Sequence, residues 1–395
     1  MVIKVQVKLL SVMLIIIMFF STSCVTVREI DELNFIMATA FEYEPKTGLY
    51  IITVQVPKTV PKGEQPMGPQ WMIYQAKGKS LFEAIRNLGK ESPRRMYFGH
   101  CDIYIIGDEF AKKGIKSLLD FLQRDGETRV STSHFLLARE PINKLLAISD
   151  GQEALPALSL EKLVEVVLKT NSQSPKVTVR DYLKDYMKEA SYSVLPLVGT
   201  STPDMEKKEE VTTKFIVSGS GVFKRDKLIG YLRPLESRGY LWAVGKLKAA
   251  IIVGTVTNKD KEVKVSYEIV SAESKVEPVI QGEELQVNIK VKATSHLGEL
   301  DGNLNVDDPK NITQLEKVLN ELIKKEVRMA VSKTQELRAD VFDVGEKLHK
   351  FHPEVWKQVK GDWENVFANI TFNIQVESSV IRTGRITELQ GGSNE

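Results

Sequence analysis

Apolar and polar positions along the chain follow three rhythms. Leu9 to Phe20 is almost wholly apolar. Leu285 to Ser295, "LQVNIKVKATS", alternates with a period of two. From Asn311 onward Ile312, Leu315, Leu319, Leu322, Val327 and Ala330 recur near the helical period. Alternation gives a strand one apolar face, and recurrence every three to four residues gives a helix one apolar stripe.

The same reading carried along the chain predicts an alternation of strands and helices. "ELNFIMATAFEYEPKTGLYIITVQVP" reads as two strands around a Pro-Lys-Thr-Gly turn, followed by a Pro- and Gly-rich exposed loop at 58–69 and a strand "WMIYQAKG". Ser80 and Glu83 form a capping-box pattern for the helix "LFEAIRNLGKES", with Leu81, Phe82, Ile85 and Leu88 as its inward stripe. Met96 to Ile106 is expected as a strand. "DEFAKKGIKSLLDFLQRD" is expected as one helix, with Phe110, Ile115, Leu118, Leu119 and Leu122 inward, and "RVSTSHFLLAR" as another strand. Helices are predicted near 159–170 and, entered through Thr178, near 179–190. Pro203 and the charges Glu206 to Glu210 mark 201–214 as a linker or exposed hairpin end. Beyond it come strands at 214–224 and 227–232, a short helix at 234–242, and paired strands at 247–257 and 262–272. A helix bearing Val355, Trp356, Val359, Trp363 and Phe367 then precedes a closing strand, "ITFNIQVESSVI". The expected class is α+β: three mixed α/β domains on largely antiparallel sheets with packed helices. They would cover 24–200, 201–280 (β-rich) and 281–395 (with the long helix), preceded by a signal peptide at 1–23.

The N-terminal run is too short to be a comfortable membrane span. As a helix it reaches about 18 Å, against a hydrocarbon layer of about 30 Å. Lys4 and Lys8, the apolar run, and then Ser21, Thr22 and Ser23 directly before Cys24 have the order of a bacterial secretory signal ending in a lipobox. Cys24 is therefore the expected lipid acceptor, S-diacylglyceryl with a possible N-acyl group, and two acyl chains anchor stably where one does not. Loss of Lys4 and Lys8 with the signal leaves 52 basic against 52 acidic side chains, so no basic surplus points to nucleic acid. The chain has two cysteines. With Cys24 lipidated, Cys101 has no partner in the chain, which excludes a disulfide framework and suits a small buried residue.

The residues offer little catalytic chemistry. "SGSGVFK" lacks the third glycine and the ending of a phosphate loop. His349 and His352 are too few for a metal shell, and adjacent His100 and Cys101 on a strand point to opposite faces. No cofactor, metal or catalytic residue is assigned. Arg124, Asp125 and Arg129, at the end of a predicted helix, are the candidate partner-contact group. Trp356 and Trp363, seven apart, share a helix face that suits core packing.

Several stretches together resemble the Ger(x)C family, the lipoprotein C subunits of nutrient germinant receptors in bacterial spores. They are Arg28-Glu29-Ile30 after the cysteine, "GKSLFEAIRNL", "RRMYFGHCDIYIIGDEFAKKGIKSLLDFLQRDGETR", "GSGVFKRDKLIGYLRPLESRGYLWAVGK" and "ADVFDVGEKLHKFHPEVWKQVKGDWENVFANITFNIQVESSVIRTG". Val25 and Thr26 stand where that family has Trp-Asp. The resemblance implies three mixed α/β domains and a place on the outer leaflet of the spore inner membrane. It also implies two integral membrane partners, of A-type and B-type, and a role in germination without catalysis. The competing expectations are a solute-binding lipoprotein that delivers a small nutrient to a transporter, and a wall-lytic hydrolase.

Overall fold

The computed structural model describes positions 6, 13, 29–58, 68–149, 152–201, 213–259, 261–282, 284–302 and 304–381. The N-terminal apolar run with Cys24, most of the 58–69 loop and nearly all of the 201–214 linker lie outside the described residues.

After β1 (Leu33–Phe35), strands β2 (Ala38–Glu44) and β3 (Leu49–Pro57) pair as the expected hairpin, and β4 (Trp71–Gly78) lies against β3. Helix α1 (Leu81–Asn87) is capped by Ser80, whose hydroxyl accepts the Glu83 N–H, while the Glu83 carboxylate accepts the Lys79 N–H. It buries Leu81, Ala84 and Leu88. Phe82, expected on the inward stripe, is instead 58% exposed and lies under the Arg86 guanidinium. So short a helix covers the sheet with one narrow stripe, and Phe82 falls about 100° round the axis from Leu81.

Three expected elements are broken, among them the helix predicted to carry Val355 to Phe367, which a 3-10 turn at Lys360–Asp362 splits so that Trp356 and Trp363 sit on separate helices. A 3-10 turn at Phe98–His100 separates β5 (Arg95–Tyr97), which pairs in parallel with β1, from β6 (Ile103–Gly107). Helices α2 (Asp108–Lys113) and α3 (Lys116–Arg124) are parted at Gly114, whose φ of 120° favours glycine and sends the next N–H, of Ile115, to the Asp226 carbonyl. Strand β7 (His134–Ala138) begins only after a turn in which the Ser133 hydroxyl and N–H both donate to the Arg129 carbonyl. Helices α4 (Ile142–Leu146), which the sequence pattern did not reveal, α5 (Pro156–Thr170) and α6 (Val179–Tyr186) follow. Then come β8 (Tyr192–Ser201), β9 (Lys214–Lys224), β10 (Lys227–Leu232) and α7 (Pro234–Ala243).

Eight of these strands form one sheet in the order β10-β9-β8-β7-β6-β2-β3-β4, parallel from β8 to β2 and antiparallel on both arms. Every residue of β6 and β7 is buried, as a parallel centre covered on both faces requires. On one face Phe41, Tyr104 and Phe135 meet Leu81, Phe110, Leu118 and Tyr182 of α1, α2, α3 and α6. On the other, Ala40, Ile105 and Leu136 meet Ile142 and Leu160 of α4 and α5.

The remainder is β11 (Ala250–Asn258), β12 (Lys261–Gln281), β13 (Glu284–Asp301), α8 (Pro309–Glu336), α9 (Val344–Phe351), α10 (Pro353–Val359), α11 (Trp363–Asn369) and β14 (Thr371–Ile381). The sheet order is β11-β12-β13-β14, with β14 parallel to β13. β12 and β13 run well past the alternating stretches seen in the sequence, because their ladder continues from Lys264↔Asp301 to Gln281↔Glu284 across bulges near Ser266 and Ile269. Their inward residues Val265, Tyr267, Ile289 and Val291 pack on Leu315, Leu319, Ile323 and Val327 of α8. Trp356 and Trp363 are buried edge to face, with ring centroids 5.2 Å apart. Residues 201–280, grouped in the sequence reading, divide between the two sheets: β9 and β10 pair back onto β8, whereas β11 and β12 open the four-stranded sheet.

Candidate functional site

The expected site residues do not converge. Cys24 lies outside the described residues. Arg124 donates from Nε to Asp120 one turn earlier at 2.8 Å on an exposed surface, and the Asp125 carboxylate accepts the Glu127 N–H at 2.8 Å within its own loop. Arg129 lies near enough to Asp102 to favour its charged form. Cys101 is fully buried between Thr39 Oγ1 and the Ile103 carbonyl, and burial pushes its thiol pKa up to about 12. The His100 ring packs against Phe35 at 5.0 Å, and His349 lies beside Trp356. Among the described residues, no group of three or more His, Cys, Asp and Glu side chains is placed to hold a metal ion.

Polar and ionisable side chains do converge where the two sheets meet, around a cavity of about 700 Å³. Five segments build it. The Thr178–Asp181 capping box, with both reciprocal bonds made, starts α6 so that Asp181, Lys184, Asp185 and Lys188 reach the cavity edge from successive turns. Strand alternation turns Tyr192 and Val194 of β8 to the same side. α7 supplies Tyr240 and Ala243, and β12 supplies Ser274 to Pro278. The fifth segment is the turn into α9. There the buried Asp340 carboxylate accepts the N–H groups of Val344 at 3.0 Å and Gly345 at 2.6 Å, which holds Val341, Phe342 and Asp343 against the cavity. Burial raises the Asp340 pKa to about 6 in spite of those two donors.

Charge in the cavity is unevenly spent. Lys188 donates to Asp185 at 2.6 Å and to Asp343 at 2.7 Å. Burial works to lower its pKa, but the attraction of the two carboxylates outweighs this and leaves it above the ordinary value. Asp343 holds its place with a left-handed backbone, φ 59°, a conformation seldom taken by residues other than glycine, asparagine and aspartate. Lys347 has one long contact, to the Phe342 carbonyl at 3.3 Å, and burial draws its pKa down. The hydroxyls of Tyr192 and Tyr240, side chains that are 7% and 8% exposed, have no hydrogen-bond partner among the described residues. Tyr240 stacks obliquely on Phe342 at 6.3 Å.

Sequence reasoning missed this constellation. Tyr240 and Lys347 do lie inside two of the long stretches that carried the family resemblance, but nothing in their spacing ties them to each other or to Lys188.

Comparison with known proteins gives a consistent set of matches. Residues 26–200 match the family model described as spore germination protein N-terminal domain, and residues 218–384 match spore germination B3/GerAC like, C-terminal. Spore germination protein KC of Bacillus subtilis is 24% identical, covering 95% of this chain and 96% of its own length. Spore germination protein B3 of the same organism is also 24% identical, over 94% and 97%. GerQC of Bacillus cereus is 21% identical, over 95% and 99%. The crystal structure of the GerBC protein superposes with a TM-score of 0.54 at 19% identity, covering 88% of this chain and 98% of that one, which is a likeness of fold.

Proposed function

From the premise that the chain belongs to the spore germination B3/GerAC family, the Ger(x)C family of germinant-receptor C subunits, we propose that it is a non-catalytic, lipid-anchored subunit of a nutrient germinant receptor. In this reading a diacylglyceryl group on Cys24 tethers the body to the outer leaflet of the spore inner membrane, and its surfaces bind two integral membrane subunits. Signal transfer is then a change of contacts rather than bond chemistry. The observation that carries the proposal is the ordered match of both family domains along the chain, with relatives aligned over nearly their full length. It is supported by the lipobox-like order before Cys24.

Intact mass spectrometry of the protein from spore membranes, wild type against Cys24→Ala, tests the anchor. The variant is expected to lose both the lipid mass and membrane retention. Two polytopic proteins are expected to co-purify with the wild type, and a clean monomer in mild detergent would count against the assembly. A second reading, a lipoprotein delivering a small nutrient to a transporter, draws on the cavity lined by Lys347 and Tyr240. It predicts that co-purification recovers a transporter instead.

A further inference from the structure

We infer that the cavity between α6, α7, β12 and the α9 turn is a binding site for a small organic carboxylate with a short apolar body. Its volume of about 700 Å³ falls in the range of roughly 300–1,000 Å³ usual for small-molecule sites. The chemistry of the occupant follows from which groups are already paired. Asp185 and Asp343 are taken by Lys188, Glu277 by Lys275, and Asp181 by the cap of α6. The carboxylates of the lining are therefore satisfied, while donors remain. The Lys347 ammonium carries three N–H groups and has one long carbonyl contact, and the Tyr192 and Tyr240 hydroxyls have no partner among the described residues. Lys184 and Lys246, also on the lining and exposed, form no salt bridge among the described residues.

A half-open site with surplus donors and positive charge selects an anionic acceptor. Beside Ser274 and His352, the wall carries an apolar patch of Val194, Val276, Pro278 and Phe342, which selects a carbon body over a bare anion. A monocarboxylate supplies two acceptor oxygens for Lys347 and a tyrosine hydroxyl, and leaves its alkyl part against those side chains. The inference stands whether the chain works as a receptor subunit or as a solute carrier, because it concerns binding alone.

Isothermal titration calorimetry on the full-length chain in mild detergent, with a detergent-only reference subtracted, tests it with three probes: 4-methylpentanoate, its neutral isostere 4-methylpentanamide, and inorganic phosphate. The acid is expected to bind with a millimolar or tighter Kd at pH 7, the amide at least tenfold more weakly, and phosphate more weakly than the acid. Lys347→Met keeps the buried stem and is expected to abolish the preference for acid over amide. Tyr240→Phe, which removes only the hydroxyl, is expected to weaken acid binding several-fold with an unchanged melting temperature, and it decides the matter if Lys347→Met does not fold. No binding of the acid, equal binding of acid and amide, or wild-type affinity in folded Lys347→Met would overturn the site. Phosphate binding as tight as the acid would overturn the apolar body. Co-purification of membrane proteins is read separately, so failure here leaves the assembly proposal to its own test.

Discussion

Helices α7 and α8 are held together by a buried ion pair, and its removal gives a sharp test of the packing that shapes the cavity. Arg238 is 6% exposed and Glu326 7% exposed. The Glu326 carboxylate accepts Arg238 Nε at 2.9 Å, a second guanidinium N–H from Nη2, and the Trp242 indole N–H at 3.1 Å. Among the described residues Arg238 has otherwise only the Ile251 carbonyl at 3.4 Å. Glu326→Leu would strand the guanidinium in a site almost closed to water. Breaking one side of a buried pair costs about 3–5 kcal/mol, because the surviving charge keeps its desolvation cost without its partner. In the double variant Arg238→Met, Glu326→Leu no charge is left behind. The main residual cost is the unpartnered Trp242 N–H, about 1–3 kcal/mol. The double variant is thus expected to be more stable than the single one, with a coupling of at least about 2 kcal/mol in the double-mutant cycle. Calorimetric unfolding of the four proteins gives the energies, and near-ultraviolet circular dichroism reports the setting of Trp242. If Glu326→Leu lies within about 1 kcal/mol of wild type, the guanidinium has found solvent and the reasoning fails. Tyr240 sits two residues beyond Arg238, so a loosened α7 should also weaken any ligand of the cavity.

Two further outcomes follow from single positions. A Cβ on Gly239 would stand against the Glu326 carbonyl oxygen and carbon, backbone atoms that cannot move aside, so Gly239→Ala is expected to lower the melting temperature by several degrees. Gly361→Ala, where a Cβ meets open space, should be nearly silent, and equal melting temperatures for the two variants would contradict the close α7–α8 crossing. Asp340, raised in the fold to about 6 from an ordinary 3.8, binds its proton more tightly folded than unfolded. Its contribution to stability is therefore largest below about pH 4, falls as pH rises to about 6, and is level above, a span of up to about 3 kcal/mol. Asp340→Asn should flatten that part of the urea-midpoint profile between pH 4 and 7. It should also lower the midpoint throughout, since an amide has one acceptor for the two N–H groups of Val344 and Gly345. An unchanged profile would refute the assignment.

What the sequence revealed was local. The stripe of Leu315, Leu319, Val327 and Ala330 is buried as its period required, and the side-chain caps at Ser80 and Thr178 are made. Pattern alone misled where a neighbour far along the chain decides. Gly114 breaks a continuous helical period because its turn docks on Asp226, and β12 and β13 outrun their alternation because each supplies the other's hydrogen bonds. Phe82 looked inward because a stripe drawn for a longer helix includes it. The candidate site was the least legible part. Lys188, Tyr240 and Lys347 lie on separate elements, and only the packing of α7 and the α9 turn against β12 brings them to one cavity. Arg124, Asp125 and Arg129, adjacent in sequence, each face a different neighbour.

The sealed position of Cys101 gives the molecule an internal alarm. Held neutral between Thr39 and Ile103, two residues before β6 and inside the core that packs on the eight-stranded sheet, the sulfur is out of reach of oxidants and alkylating reagents while the sheet stays closed. Each reagent molecule that it captures therefore records one opening of that sheet. Timed labelling followed by peptide mapping would count those openings in the native chain, with no engineered probe.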